Sequence, residues 1–500
     1  MNRRSTGTSA APGPSASRGR VAYKWVALSV TTIGALMAAI DSTIVILALP
    51  DMMVELHANL IEMIWVIIGY LLISTVFLLT FGRVADLIGR VRMYNLGFVV
   101  FTIGSLACGL SGSAVVLILS RLIQGSGAAM MVVNSVAILT EVFPANERGR
   151  ALGINGITWA TGGVLGPVLG GLILNAASWR WIFFINIPIG IFGAVWGYIA
   201  LHEISTRGAN EKFDLLGALA FSLSLVSLLL ALTLGIQFSW TSAPILLLFA
   251  SFVVFLVLFI LWERRSTSPV LDFSLFANRV YNFSVLAAMI QSLGLFAVNF
   301  LIIFYLQGVR GFDPLTAALL LIPLPLVSAI AAPIGGIVAD RIGARVPATL
   351  GLLLQAAALF WLSFLAVDTP YVVLAAGLAI MGLGGGLFFS PNTSAAMTAA
   401  PKNRLGVASA TLATLRQTGM VVSFALSLAV AAGSLPHDVM MQIFVGTSVT
   451  LGSGVMQNFV LGIRNAFLFS IVLCLIAAVL SLSRGKEDRK AMRLAEPPVQ

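Results

Sequence analysis

Charge is scarce in this chain. Asp, Glu, Lys and Arg make up 10% of its 500 residues, and 59% are hydrophobic. A soluble protein carries about 25% charged residues and cannot hide so much apolar surface, so a water-soluble globular domain is excluded. Histidine is scarcer still. His57, His202 and His437 are far apart in sequence, and no His/Cys/Asp cluster has metal-ligand spacing, so no metal centre is expected. The two cysteines, Cys108 and Cys474, both fall in apolar runs, which argues against a disulfide framework. No Gly-rich phosphate loop ending in Lys-Ser or Lys-Thr occurs, so ATP hydrolysis is not expected, and nothing points to an enzyme. No cleavable leader is expected either. Residues 1–22 read as a polar, disordered tail.

What the chain does have is long, continuous apolar runs. They predict an all-α polytopic membrane protein, since a β-barrel would alternate apolar and polar residues. Hydropathy divides the chain into fourteen transmembrane spans. The first covers about 23–49, the sixth 181–201, the tenth 314–337 and the last 463–483. The net charge of +10 does not point to nucleic acid, because most of the Lys and Arg residues sit in alternate short gaps between spans. Those gaps include Arg83, Arg90 and Arg92; Arg148 and Arg150; Arg341 and Arg345; and the basic tail 484–500. The positive-inside rule then places both termini in the cytoplasm and favours an even number of spans.

The chain contains an internal repeat. Gly82-Arg-Val-Ala-Asp86-Leu-Ile-Gly89-Arg90-Val-Arg92 recurs as Gly336-Ile-Val-Ala-Asp340-Arg341-Ile-Gly343. Each copy follows the second span of its half. This predicts two six-helix bundles, residues 23–202 and 282–483, with 203–281 contributing two inserted helices. The outer segment 433–462, long for a loop and with an apolar stretch near Val439–Val445, lies in the second half and reads as a hairpin.

Three spans carry unusual residues. Asp41 is the one acid expected deep within a span, and a carboxylate there marks a functional site by default. In span four, Arg121, Gln124 and Gly125 share a helix face, and Arg121 is the partner for Asp41 by residue type. In span five, Gly162, Gly166 and Gly170 recur every fourth residue around Pro167, making a groove for a neighbouring helix and a kink. Other residues placed to line a cavity, and so to contact substrate alongside Asp41 and Gln124, are Asn134, Trp159, Gln291, Asn299, Gln307, Phe388 and Asn392.

The Gly82–Arg92 loop resembles the signature loop of the major facilitator superfamily. The span-four and span-five patterns resemble that family's proton-coupling arginine motif and the antiporter motif of its drug exporters. Asp41-Ser-Thr-Ile-Val, Trp179-Arg-Trp181-Ile-Phe-Phe-Ile-Asn186-Ile-Pro188 and Tyr305-Leu-Gln307-Gly narrow the resemblance to the fourteen-span drug:proton antiporters. Two positions depart from it, Ala413 and Ile64, where polar residues are expected. The resemblance implies alternating access, with protons as the coupling ion and no bound cofactor. It assigns proton coupling to Asp41 and Arg121, and a latch between the halves to Gly82, Asp86, Gly89, Arg90, Arg92 and Asp340. It implies a monomer in the lipid bilayer of a prokaryotic cytoplasmic membrane, exporting amphipathic or cationic small molecules. The alternative is an exporter narrow for one antibiotic, siderophore or lipid-like metabolite.

Overall fold

A computed structural model of the chain describes residues 14–143, 148–203, 214–235, 238–266, 271, 273–401, 405–432 and 453–485. All regular structure among them is helical. The first bundle comprises α1 (Pro14–Glu55), α2 (Leu60–Ile88), α3 (Arg90–Gly109), α4 (Ala114–Val142), α5 (Arg148–Ala176), the short α6 (Trp181–Phe184) and α7 (Asn186–Ala200). Next come α8 (Leu215–Leu234) and α9 (Ala243–Glu263), which pack on each other. The second bundle comprises α10 (Arg279–Phe304), α11 (Pro314–Leu320), α12 (Pro323–Ile342), α13 (Arg345–Leu362), α14 (Tyr371–Ala399), α15 (Leu405–Ala432) and α16 (Ser453–Ser483). Among the described residues, twelve helices are long and apolar enough to cross a membrane. Two more, α5 and α15, are of similar length, with 29 and 28 residues, and pack among them.

Local chemistry sets the helix ends. Asn59 and Glu62 form a capping box at the start of α2, so Glu62 acts as a cap. The expected single spans 181–201 and 314–337 are each broken. The first breaks at Ile185, just ahead of Pro188, and the second at Leu321-Ile322, just ahead of Pro323. Proline lacks the N–H that a continuous helix needs and is tolerated in a first turn. In contrast, α1 runs through Pro50 to Glu55, beyond the predicted end at 49. Its last turn is anchored from outside. Glu55 accepts from Trp179 Nε1 at 2.6 Å and pairs with Arg180, which also donates to the Ser111 carbonyl at 3.3 Å. The last helix starts at Ser453, ten residues before the predicted 463. Most of the hairpin predicted at 433–462 lies outside the described residues.

The two copies of the repeat fold alike. Gly89 ends α2 with φ +111°, and Gly343 ends α12 with φ +97°. Each glycine N–H reaches back to an alanine carbonyl, Ala85 and Ala339, at 2.8 Å. A positive φ disfavours any residue with a Cβ, which explains glycine at both places.

Packing between the bundles is uneven along the membrane normal. One large hydrophobic core joins them at the end away from the repeat turns, mixing Ile44, Leu49 and Met63 with Val298, Ala317 and Val421. At the end carrying the repeat turns, the hydrophobic clusters each stay within one bundle. Among the described residues, the buried hydrophobic packing shared by the two bundles therefore lies at the end away from the repeat turns. Near mid-depth a side-chain hydrogen bond crosses between them, from Gln417 Nε2 on α15 to Ser74 Oγ on α2 at 3.1 Å.

Candidate functional site

Asp41 has no exposed surface. Taking an ionised carboxylate out of water costs several kcal/mol unless donors replace the water. Three donors do so. Arg121 Nη1 donates to Oδ2 at 2.6 Å, Gln124 Nε2 to Oδ1 at 2.8 Å, and Asn186 Nδ2 to Oδ1 at 3.0 Å. Arg121 and Gln124 reach the same acid because they sit three residues apart on α4.

The donors are held in turn. Gln124 Oε1 accepts from Arg121 Nη1 at 2.6 Å, and Gln124 Nε2 also donates to Ser105 Oγ at 2.7 Å. Arg121 Nε donates to the Val66 carbonyl at 3.1 Å, and its guanidinium lies 4.1 Å from the Tyr70 ring centroid. Gly104 lets α3 come close here, since a Cβ on it would sit 2.6 Å from the Gln124 backbone. The network thus draws on α1, α2, α3, α4 and α7, all in the first bundle. Asp41, Arg121, Gln124, Asn186 and Ser105 are all buried.

The glycine stripe of α5 packs on α1 around this acid. A side chain at Gly162 would meet Ala39, at Gly166 it would meet Thr43, and at Gly170 it would meet Ile44. The groove predicted from sequence therefore has a named occupant, the stretch of α1 that carries Asp41. The next residue, Gly171, lies against Leu315 of α11 in the second bundle.

The other predicted residues are dispersed. Asn134 donates to the Met130 carbonyl of its own helix at 2.8 Å. Asn392 donates to the Ser284 carbonyl at 3.0 Å and ties α14 to α10. Gln291 reaches Gln355 at 3.4 Å. Phe388 is buried in packing, whereas its neighbour Phe389 is exposed. Trp159 is half-buried on α5. Ser292 and Asn299 differ, with Ser292 buried and Asn299 exposed, although they are seven residues apart on α10. Gln307 lies in a π-turn, Tyr305–Val309, where its side-chain nitrogen is buried without a partner among the described residues.

At the predicted latch, Arg90 pairs with Glu141 at 3.5 Å. Glu203 caps α3, accepting from the N–H groups of Arg90 at 2.7 Å, Val91 at 3.2 Å and Arg92 at 3.3 Å. The side chains of Asp86 and Asp340 lie outside the described residues.

Sequence reasoning missed Asn186, Ser105 and Tyr70 as members of the network. Asn186 did leave a signal, as a lone amide between isoleucines just ahead of Pro188.

Residues 31–424 match the Major Facilitator Superfamily. The chain belongs to that superfamily. It is a membrane transporter and not an enzyme. The riboflavin transporter RibZ of Clostridioides difficile (strain 630) is 33% identical over 415 residues, covering 83% of this chain and 90% of RibZ. The multidrug resistance protein Stp of Mycobacterium tuberculosis (strain CDC 1551 / Oshkosh) is 35% identical over 409 residues, covering 82% of this chain and 76% of Stp. A solved bacterial homologue of the human lysosomal transporter Spinster, inward-facing and unoccupied, matches with a TM-score of 0.63 at 17% identity. That match covers 95% of this transporter and 99% of the homologue. The likeness extends to the fold alone.

Proposed function

We propose that this transporter exports amphipathic small molecules in exchange for protons, with Asp41 as the coupling carboxyl. It would do so as one of the fourteen-span antiporters, with α5 and α15 counted as spans and both termini in the cytoplasm of a prokaryotic cell. The observation that carries the reading is the closed donor set on Asp41. A proton and the Arg121 guanidinium compete for the same carboxylate oxygen. When a proton takes Oδ2, Arg121 keeps the Val66 carbonyl, the Gln124 oxygen and the Tyr70 face. Those remaining partners keep the exchange from stranding a bare cation, which would cost several kcal/mol.

The exchange can be felt at the interface between bundles. A shift of α1 acts on the α5 glycine groove, and the far end of α5 rests on α11 through Gly171 and Leu315. Rocking of one bundle on the other then alternates access. The Gly-Pro pattern of α5, which resembles that of drug exporters, supports outward transport, and so does the name of Stp. The name of RibZ favours a second reading, an exporter narrow for one compound.

The test uses purified protein in liposomes with an imposed pH gradient. Proton flux is followed as amphipathic dyes are added. Wild type should couple proton movement to at least one dye, and Asp41→Asn should lose that coupling while expressing normally. Undiminished coupling in Asp41→Asn would remove Asp41 from the mechanism. A susceptibility panel separates broad from narrow export, because a narrow exporter protects against one chemical class only.

A further inference from the structure

Two arginines lie at membrane depth, and they are treated differently. Arg121 is 1% exposed and is partnered through Nε and Nη1. Arg416, midway along α15, has neither a carboxylate nor a carbonyl within hydrogen-bond reach among the described residues. Its neighbour is the ring of Phe389, 4.9 Å from the guanidinium carbon. Arg416 is half-buried, with part of its surface open, and Phe389 is 40% exposed.

A guanidinium facing lipid is costly, and ionisable groups within spans almost always face the bundle interior or a water-filled cavity, so the open side of Arg416 faces water or a ligand. The position agrees. Gln417, the next residue, bridges to Ser74 of the first bundle, and Gly419 packs on the Met289 carbonyl of α10. Arg416 therefore stands beside the seam between bundles. Asp41, by contrast, is closed off by its own donors and offers no free oxygen to a cationic substrate.

We infer that Arg416 and Phe389 form a substrate subsite for the acidic group of an aromatic amphiphile. The guanidinium would take a carboxylate or sulfonate in a bidentate bond, and the attached ring would stack on Phe389. This deepens the export reading and rests on it for what is carried. It reverses the sign of substrate expected from Asp41 alone.

The experiment measures equilibrium binding of two dyes to the full-length protein in detergent by fluorescence anisotropy. Fluorescein carries a free carboxylate on a xanthene frame. Rhodamine 6G has a similar frame, a net positive charge and an esterified carboxyl. Wild type should bind fluorescein more tightly. Arg416→Gln should weaken fluorescein by about 10- to 100-fold, the loss of a charge-assisted bond, and hardly change rhodamine 6G. Arg416→Lys should recover part of the loss, because the charge stays and the fork is gone. Phe389→Leu should weaken both dyes. If Arg416→Gln does not survive purification, the wild-type preference and the Arg416→Lys loss decide the matter. Tighter binding of rhodamine 6G by wild type, or wild-type fluorescein affinity in the Arg416 variants, overturns the subsite. Binding in detergent needs no gradient, so a failure of proton coupling leaves this measurement standing. Conversely, a protein that couples dye flux to protons but binds fluorescein without Arg416 overturns the subsite alone.

Discussion

Removing Arg121 should be far more damaging than its single ion pair suggests, and removing Asp41 with it should add little or nothing to the harm. In Arg121→Gln, Asp41 stays buried with only the Gln124 and Asn186 amides as donors. A buried charge that loses its counter-ion costs about 3–5 kcal/mol. Asp41→Asn does less, because Arg121 keeps its bonds to the Val66 carbonyl and Gln124 and its place over Tyr70. Its cost should be about 1.5–3 kcal/mol, the worth of a hydrogen bond to a charged group. The double variant carries no buried charge at this point, so it should be about as stable as Arg121→Gln alone, although it lacks a second group. The expected coupling between the two sites is about 2–3 kcal/mol. The assay is equilibrium unfolding of the four proteins in mixed micelles, followed by tryptophan fluorescence. Costs that add to within about 0.5 kcal/mol would refute the reasoning, since that is how independent sites behave.

Other outcomes follow from neighbouring contacts. Gly166→Val should push α1 off α5 at Thr43 and abolish transport even where protein reaches the membrane, measured by dye efflux against surface expression. Gly89→Ala and Gly343→Ala should each cost about 1 kcal/mol or more in unfolding experiments, because each places a Cβ at positive φ. Glu203→Gln should loosen the start of α3, read as faster hydrogen exchange at Arg90, Val91 and Arg92. Asn186→Leu should leave the fold intact but lower proton-coupled flux, since Asp41 then loses one of its three donors.

Much of the fold could be read in advance because membrane helices must satisfy their own backbone within long apolar runs. The same rule made Asp41 and Arg121 visible, as charges in hydrocarbon with few possible partners. The glycines at 89 and 343 were legible through their repeat, and both end helices at positive φ. Helix breaks were not legible, because a proline inside an apolar run marks either a kink or a new first turn. Pro50 and Pro167 stay within helices, whereas Pro188 and Pro323 fall in first turns just after breaks. Polar residues in spans were the hardest to place. Asn134 and Asn186 look alike in sequence, yet one bonds to its own helix and the other to Asp41. The difference lies in which helix stands opposite, and hydropathy carries no record of that.

The two membrane-depth arginines suggest how a proton and a substrate can act on one machine without sharing a site. The acid and its donors lie wholly in the first bundle, and the open guanidinium lies in the second. Direct competition at Asp41 would require a substrate to displace donors packed among α1, α2, α3, α4 and α7. Coupling through conformation requires less. The α5 helix meets α1 on both sides of Asp41 and meets α11 at Gly171. On the second bundle, α15 carries Arg416 next to the Gln417 contact with α2. Each charge therefore sits one residue or one helix face from a contact that crosses between bundles. If that arrangement couples them, cutting the Gln417–Ser74 bridge should separate the two ligands. Ser74→Ala should leave fluorescein binding in detergent near that of wild type and weaken the dependence of efflux on the pH gradient. A Ser74→Ala protein with unaltered coupling would mean that the bridge is packing and nothing more.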